Sequence, residues 1–279
     1  MAFKSILTIV TDPQAAAHQI DAAVDIARRN DAHLEVLCVG IDRAPNGYYY
    51  AGAVPVVSEE TFLQAQEDAT AAAEAMRTRL GSEDIRWSVD SSIAQIGALA
   101  SQVGLRARFS DLVVLARPYG DRTGPEAEAV LEAALFEGHA PVLVLPGNRA
   151  VGAFGTRIVL AWNQSDEAMN AARASLPLLK AAASVSVTVI DPPASGPERA
   201  EPGGLLTQYL VRHGVKAEVA VLAKTLPKVS QVLAQHARDT GADLIVMGAY
   251  GHSRFREAIL GGATRNMLQD GDIPVLMAH

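Results

Sequence analysis

A single cysteine, Cys38, stands in the 279-residue chain, so no intrachain disulfide can form. A lone thiol suits a reducing compartment, and the expected location is the cytoplasm. Aromatic residues are scarce at 5%, while alanine, valine and leucine abound, a mixture better suited to helices packed on buried parallel strands than to a β-sandwich. No long run of lysine and arginine occurs, and 31 acidic residues outweigh 24 basic ones. A net charge of −7 speaks against a general nucleic-acid surface. A compact anion remains open as a ligand, because backbone amides can hold phosphate within an acidic protein. The apolar run at residues 5–10 is too short for a signal-peptide core or a membrane span, and no membrane partner is expected. Seven histidines show no paired-ligand spacing and have no cysteine beside them, so no metal site is indicated.

What is present is an alternation of short β-rich runs with helical segments. Strands are predicted at residues 6–10, 33–39, 85–89, 112–116 and 142–145, with helices at 15–29, 58–80, 93–106 and 126–136. Ser58 reads as the cap of the second helix. The order then restarts after a small-residue stretch around Pro146-Gly147-Asn148: strands at 157–162, 185–190, 217–222, 244–247 and 275–277, helices at 166–181, 205–211 and 228–240.

The halves also correspond residue by residue. Asp111-Leu-Val-Val-Leu-Ala parallels Asp243-Leu-Ile-Val-Met-Gly, and Ala127-Glu-Ala-Val-Leu parallels Arg256-Glu-Ala-Ile-Leu. Ala140-Pro-Val-Leu-Val parallels Ile273-Pro-Val-Leu-Met. Three matches in one order indicate a duplication of about 140 residues. The fold class read here is α/β, with two tandem doubly wound open parallel sheets. The expected domains are residues 1–148 and 155–279. Ligands of such sheets sit beyond the carboxyl ends of the strands, where the winding reverses.

The loop after the fourth strand of the second half begins Gly248-Ala-Tyr-Gly251-His252 and ends Gly261-Gly262-Ala263-Thr264. Gly248 lets a ligand or another backbone approach the strand end. Gly251 permits a turn that aims amides at one point. Gly261-Gly262 interrupts a helical pattern at about 0.5–1 kcal/mol per glycine, which is explained if a helix starts there with its amides toward an anion. The alternative is that the glycines serve only turns and close packing. The first half provides a control, since Ala116-Arg-Pro-Tyr-Gly120 and Glu132-Ala133 stand at the equivalent places. Folding alone therefore does not require the glycines.

On these residues the chain resembles the universal stress protein family in its tandem form. Gly248, Gly251 and Gly261 match the family's Gly-x2-Gly-x9-Gly spacing, and Gly262 departs where a serine or threonine is usual. The resemblance implies five-stranded parallel sheets of order 3-2-1-4-5 (an adenine nucleotide alpha hydrolase-like fold), intramolecular pairing of the two domains and a homodimer. It also implies ATP or another adenine nucleotide in the second domain, with Mg²⁺ only as the nucleotide's own counter-ion. The implied contacts are Ala161, Trp162 and Asn163 at the first strand, Met247 and Gly248 at the fourth, and Gly251, His252, Gly261, Gly262, Ala263 and Thr264 in the loop. Asn163-Gln164-Ser165 departs from the family's Asp-Gly-Ser, and Asp12-Pro13 in the first half departs further.

Other residues have ordinary readings beside functional ones. Trp162 either stacks on a base or packs beneath a loop. Tyr48, Tyr49 and Tyr50 lie in the longest loop, and Asp191 is either a ribose ligand or a turn residue. No catalytic residue is indicated. No Walker lysine follows the glycines and no loop carboxylate is placed to hold Mg²⁺ or activate water, so binding is expected rather than turnover. Slow ATP hydrolysis and a purely interacting protein with a vestigial pocket remain as alternatives.

Overall fold

The computed structural model describes residues 3–43, 55–120, 123–147, 154–192, 200–249 and 262–279. They divide into two compact units, Phe3–Ala140 and Pro141–His279.

The first unit runs β1 (Ser5–Val10), α1 (Ala17–Asn30), β2 (His33–Asp42), α2 (Pro55–Leu80), β3 (Arg86–Gln95), α3 (Ile96–Ala107), β4 (Leu112–Ala116) and α4 (Pro125–Glu132). Its strands lie in the order β3-β2-β1-β4, all parallel. Ile6, Leu7, Ile9 and Val10 are all buried, as expected for a central strand covered on both faces. β3 outruns the strand predicted at 85–89, and α3 starts at Ile96 rather than 93, because β3 pairs with β2 residue for residue as far as Asp42↔Gln95. Tertiary pairing thus overrides local helical preference there. α2 starts at Pro55, so Ser58 lies within the helix and is not its cap. Proline suits a first turn because its missing amide would have no intrahelical partner.

The second unit contains β5 (Val142–Leu145), β6 (Arg157–Ala161), α5 (Asp166–Ala174), α6 (Leu176–Ala181), β7 (Ser184–Ile190) and α7 (Gly204–Arg212). It continues with β8 (Ala217–Leu222), α8 (Val229–Asp239), β9 (Leu244–Gly248), α9 (Ala263–Asp270) and β10 (Val275–Ala278). Strands β8-β7-β6-β9-β10 are parallel, which is the order 3-2-1-4-5 within this half. β5 runs antiparallel to β10, pairing Leu143 with Leu276. All four β5 residues are buried. Such a short apolar run carries no signal of partner or direction.

The helix predicted over 166–181 is two helices. Pro177 has no amide to continue the ladder, and Ser175 Oγ donates to the carbonyls of Ala171 (2.7 Å) and Ala172 (3.2 Å) at the break.

The duplicated aspartates have one structural job. Asp111 Oδ2 accepts the amides of Lys4 (2.7 Å) and Ser5 (3.0 Å). Asp243 likewise accepts from Gly155 (2.9 Å), Thr156 (3.1 Å) and Arg157 (3.0 Å). Each carboxylate satisfies the amides that precede or open β1 or β6, and so holds β1 against β4 and β6 against β9.

Candidate functional site

The winding of the second unit reverses between β6 and β9, so the segments leaving these strands define the candidate site. β6 leads into Trp162, whose amide continues the pairing by donating to Thr188 O at 2.9 Å. The indole is half-buried. Asn163 Oδ1 then accepts the Ser165 amide at 3.1 Å, and Ser165 Oγ accepts the Ala168 amide at 3.2 Å as the N-cap of α5. Gln164 bridges the two with φ of +64°. The exposed Asn163 side chain is therefore engaged in the turn that starts α5.

β9 ends in Met247, which is buried, and Gly248. A Cβ added to Gly248 would fall 2.6 Å from the Ala168 nitrogen and 2.7 Å from the Glu167 carbonyl carbon. The close backbone approach expected for this glycine is present: α5 begins directly against the strand end. Beyond it, the Ala249 amide donates to Ala278 O at 2.9 Å, and the His279 ring lies 3.0 Å from Ala249 O through Nδ1. Asp191, which follows β7, is exposed with φ of +51° and donates its amide to Leu222 O at 2.9 Å.

Gly251, His252 and Gly261 lie outside the described residues, as do Tyr48, Tyr49 and Tyr50. The far side of the loop is described. Gly262 is the N-cap of α9, with its carbonyl accepting the Asn266 amide at 3.2 Å and Asn266 Nδ2 at 3.0 Å. Ala263 is half-buried and Thr264 is buried, both in the first turn. That turn carries no acidic residue, and Arg265 within it is exposed.

One residue of this neighbourhood was not singled out from sequence. Lys228, at the N-cap of α8, donates through Nζ to Asn266 Oδ1 at 2.7 Å. An ammonium is thereby tethered to the first turn of α9, where the helix dipole is positive. Cations are disfavoured at such a position unless an anion joins them. No local pattern marks Lys228, since its partner is 38 residues away.

The first unit fills the equivalent strand ends differently. Gln19, in the first turn of α1, is buried and donates through Nε2 to Thr8 Oγ1 (2.6 Å) and Ile9 O (2.8 Å). Its Oε1 accepts the Ala116 amide at 3.0 Å. Asp12 Oδ1 accepts the Gln14 amide at 2.9 Å, the counterpart of the Asn163 turn. Here α4 passes directly into a π-turn at Ala133–Glu137, whereas a new helix starts after Gly262 in the second unit.

Among the described residues, no group of three His, Cys, Asp or Glu side chains could hold a metal ion, and no helix is long and apolar enough to cross a membrane.

Residues 156–279 match the universal stress protein family. The chain is 34% identical over 73 residues to the universal stress protein Slr1230 of Synechocystis sp., a match over 26% of this chain and about a quarter (24%) of that relative's length. The fold is similar to the crystal structure of a universal stress protein from Archaeoglobus fulgidus, with a TM-score of 0.71 at 12% identity over 98% of this chain and 97% of that one. It is also similar to a functionally unknown protein from Pseudomonas aeruginosa PAO1, with a TM-score of 0.61 at 17% identity over 99% and 92% of the chains.

Proposed function

We propose that the second unit, whose residues 156–279 match the universal stress protein family, binds ATP or a related adenine nucleotide, its phosphates received at the glycine loop and the start of α9. The observation that carries this reading is the start of α9. An eight-residue helix opens at Gly262 with no carboxylate in its first turn, and Lys228 adds a positive charge to that turn. A helix start, its positive dipole end and a tethered ammonium together suit a polyanion better than water. In this reading Ala161, Trp162 and Asn163 border the base, and Met247 and Gly248 border the ribose. Gly251, His252, Gly261, Gly262, Ala263 and Thr264 surround the phosphates.

The role is binding, and the chain acts as a regulatory protein of the cytoplasm whose state reports nucleotide. The close contact of Gly248 with α5 accounts for that glycine without a ligand, so it is not an argument for this reading. The test is isothermal titration of the full chain with ATP, beside a Gly261→Glu variant that copies Glu132 of the first half. Saturable binding by wild type and its loss in a folded variant are the expected results. Absence of binding by wild type would overturn the reading in favour of a protein-interaction role.

A further inference from the structure

The sheet of the second unit ends on β8, which pairs with β7 on one side and, among the described residues, with no strand on the other. The ladder fixes which backbone groups face outward. The Val185 amide donates to Lys216 O and the Asp191 amide to Leu222 O, each at 2.9 Å. Lys216, Glu218, Ala220 and Leu222 therefore bond toward β7, and the N–H and C=O groups of Ala217, Val219 and Val221 point away from it. Val219 and Val221 are also 40% and 51% exposed. They share a sheet face with Val187 and Val189, beside Gly203 at the start of α7, and that helix has only nine residues.

A free row of amides and carbonyls invites another chain, and edge strands are normally blunted by polar and charged side chains. The edge of the first unit follows that rule, for the exposed residues of β3 are Arg86, Asp90, Ser91 and Gln95. β8 instead exposes its two valines with Glu218, and Ala223 and Lys224 are exposed directly after it. This row is complementary to itself. In an antiparallel pair of copies centred on Val221, that residue faces its own counterpart with both backbone bonds formed, and Val219 faces Ala223. On the other face Ala220 meets Leu222 and Glu218 meets Lys224, each twice by symmetry. Centring on Ala220 would set Lys216 opposite Lys224. Centring on Val219 or Leu222 would leave Glu218 opposite Ala220 or Leu226. Charge thus selects the register about Val221.

We propose that β8 is a dimerisation edge, paired with β8 of a second copy of this chain in antiparallel register about Val221. The occupant is the chain itself because the row reads alike from both ends, valine to valine and acid to base. Two short strands make a small interface, so the dimer is reversible.

The test is sedimentation equilibrium of the full chain over a wide range of concentration. Wild type is expected to dimerise. Val221→Lys sets like charges face to face on the two-fold axis and should abolish the dimer. Glu218→Lys or Lys224→Glu alone should weaken it about tenfold, and the two together should restore it, because the swap returns both opposite-charge pairs. A wild-type chain that stays monomeric throughout overturns the proposal. A dimer indifferent to Val221→Lys overturns it as well, since such a dimer is built on another surface. So does a double variant no stronger than the single ones. The altered side chains are all exposed, and circular dichroism verifies that each variant is folded.

Discussion

Gly248 and Ala168 meet backbone to backbone: a Cβ on the glycine would sit 2.6 Å from the alanine nitrogen. The first unit solves the same junction with side chains. Ala116 ends β4 there, and Gln19, the third residue of α1 as Ala168 is of α5, reaches its amide at 3.0 Å. A glycine–alanine pair brings helix and strand into contact, while an alanine–glutamine pair bridges them with a buried amide.

Gly248→Ala is therefore expected to destabilise the second unit with or without nucleotide. The obstructing atoms are backbone, which cannot rotate aside, and overpacking of this kind costs about 1–3 kcal/mol. Thermal melts of the ligand-free variant check it. An unchanged melting temperature would remove the packing role.

Gln19→Leu should cost the first unit about 2–3 kcal/mol. It strips partners from the Ala116 amide and Ile9 carbonyl in a largely buried setting, and such orphaned groups bear their own desolvation penalty. Urea unfolding followed by circular dichroism gives the change, and a loss below half a kcal/mol would contradict the bridging role.

Lys228→Gln separates charge from structure at the proposed phosphate site, since glutamine can still donate toward Asn266. ATP affinity should fall about tenfold, equivalent to ~1.4 kcal/mol, while adenosine binding stays unchanged. The wild-type preference for ATP over adenosine should also weaken as salt is raised, because an exposed ammonium is screened. Equal loss for both ligands would assign Lys228 a purely structural role.

His236 gives the second unit a pH dependence. Its Nε2 lies 3.1 Å from Ser186 Oγ, and burial holds its pKa below the usual 6.5 against the opposing pull of Asp239. The folded state then binds a proton less readily than the unfolded chain. Stability from this group is complete above the unfolded pKa and declines as pH falls through 6.5 toward the folded value. Melting temperatures between pH 5 and 8 should show that decline, and His236→Gln should flatten it. An identical pH profile in the variant would place the dependence elsewhere.

Most of the architecture was legible because its signals are local. Alternation of apolar runs with helical periodicity located the strands, and the paired motifs around Asp111 and Asp243 aligned the two halves. Those aspartates also proved to bear the same load, each holding the amides around the start of a first strand. The glycine pair marked a helix start, and α9 does begin at Ala263 with Gly262 as its cap. Proline punctuation was underused, for Pro177 broke a helix that periodicity alone had run through.

What the sequence by itself determined is the α/β class and the place in each half where the winding reverses, since these follow from side-chain period and from motifs shared between the halves. Tertiary structure alone decided the rest, because it depends on which distant backbones meet. β5 found β10, β3 lengthened along β2, and Gly248 was claimed by the start of α5. The charges followed the same rule. Lys228 came to Asn266 and Arg43 to Glu126 across 38 and 83 residues, separations over which no local pattern can announce a partner.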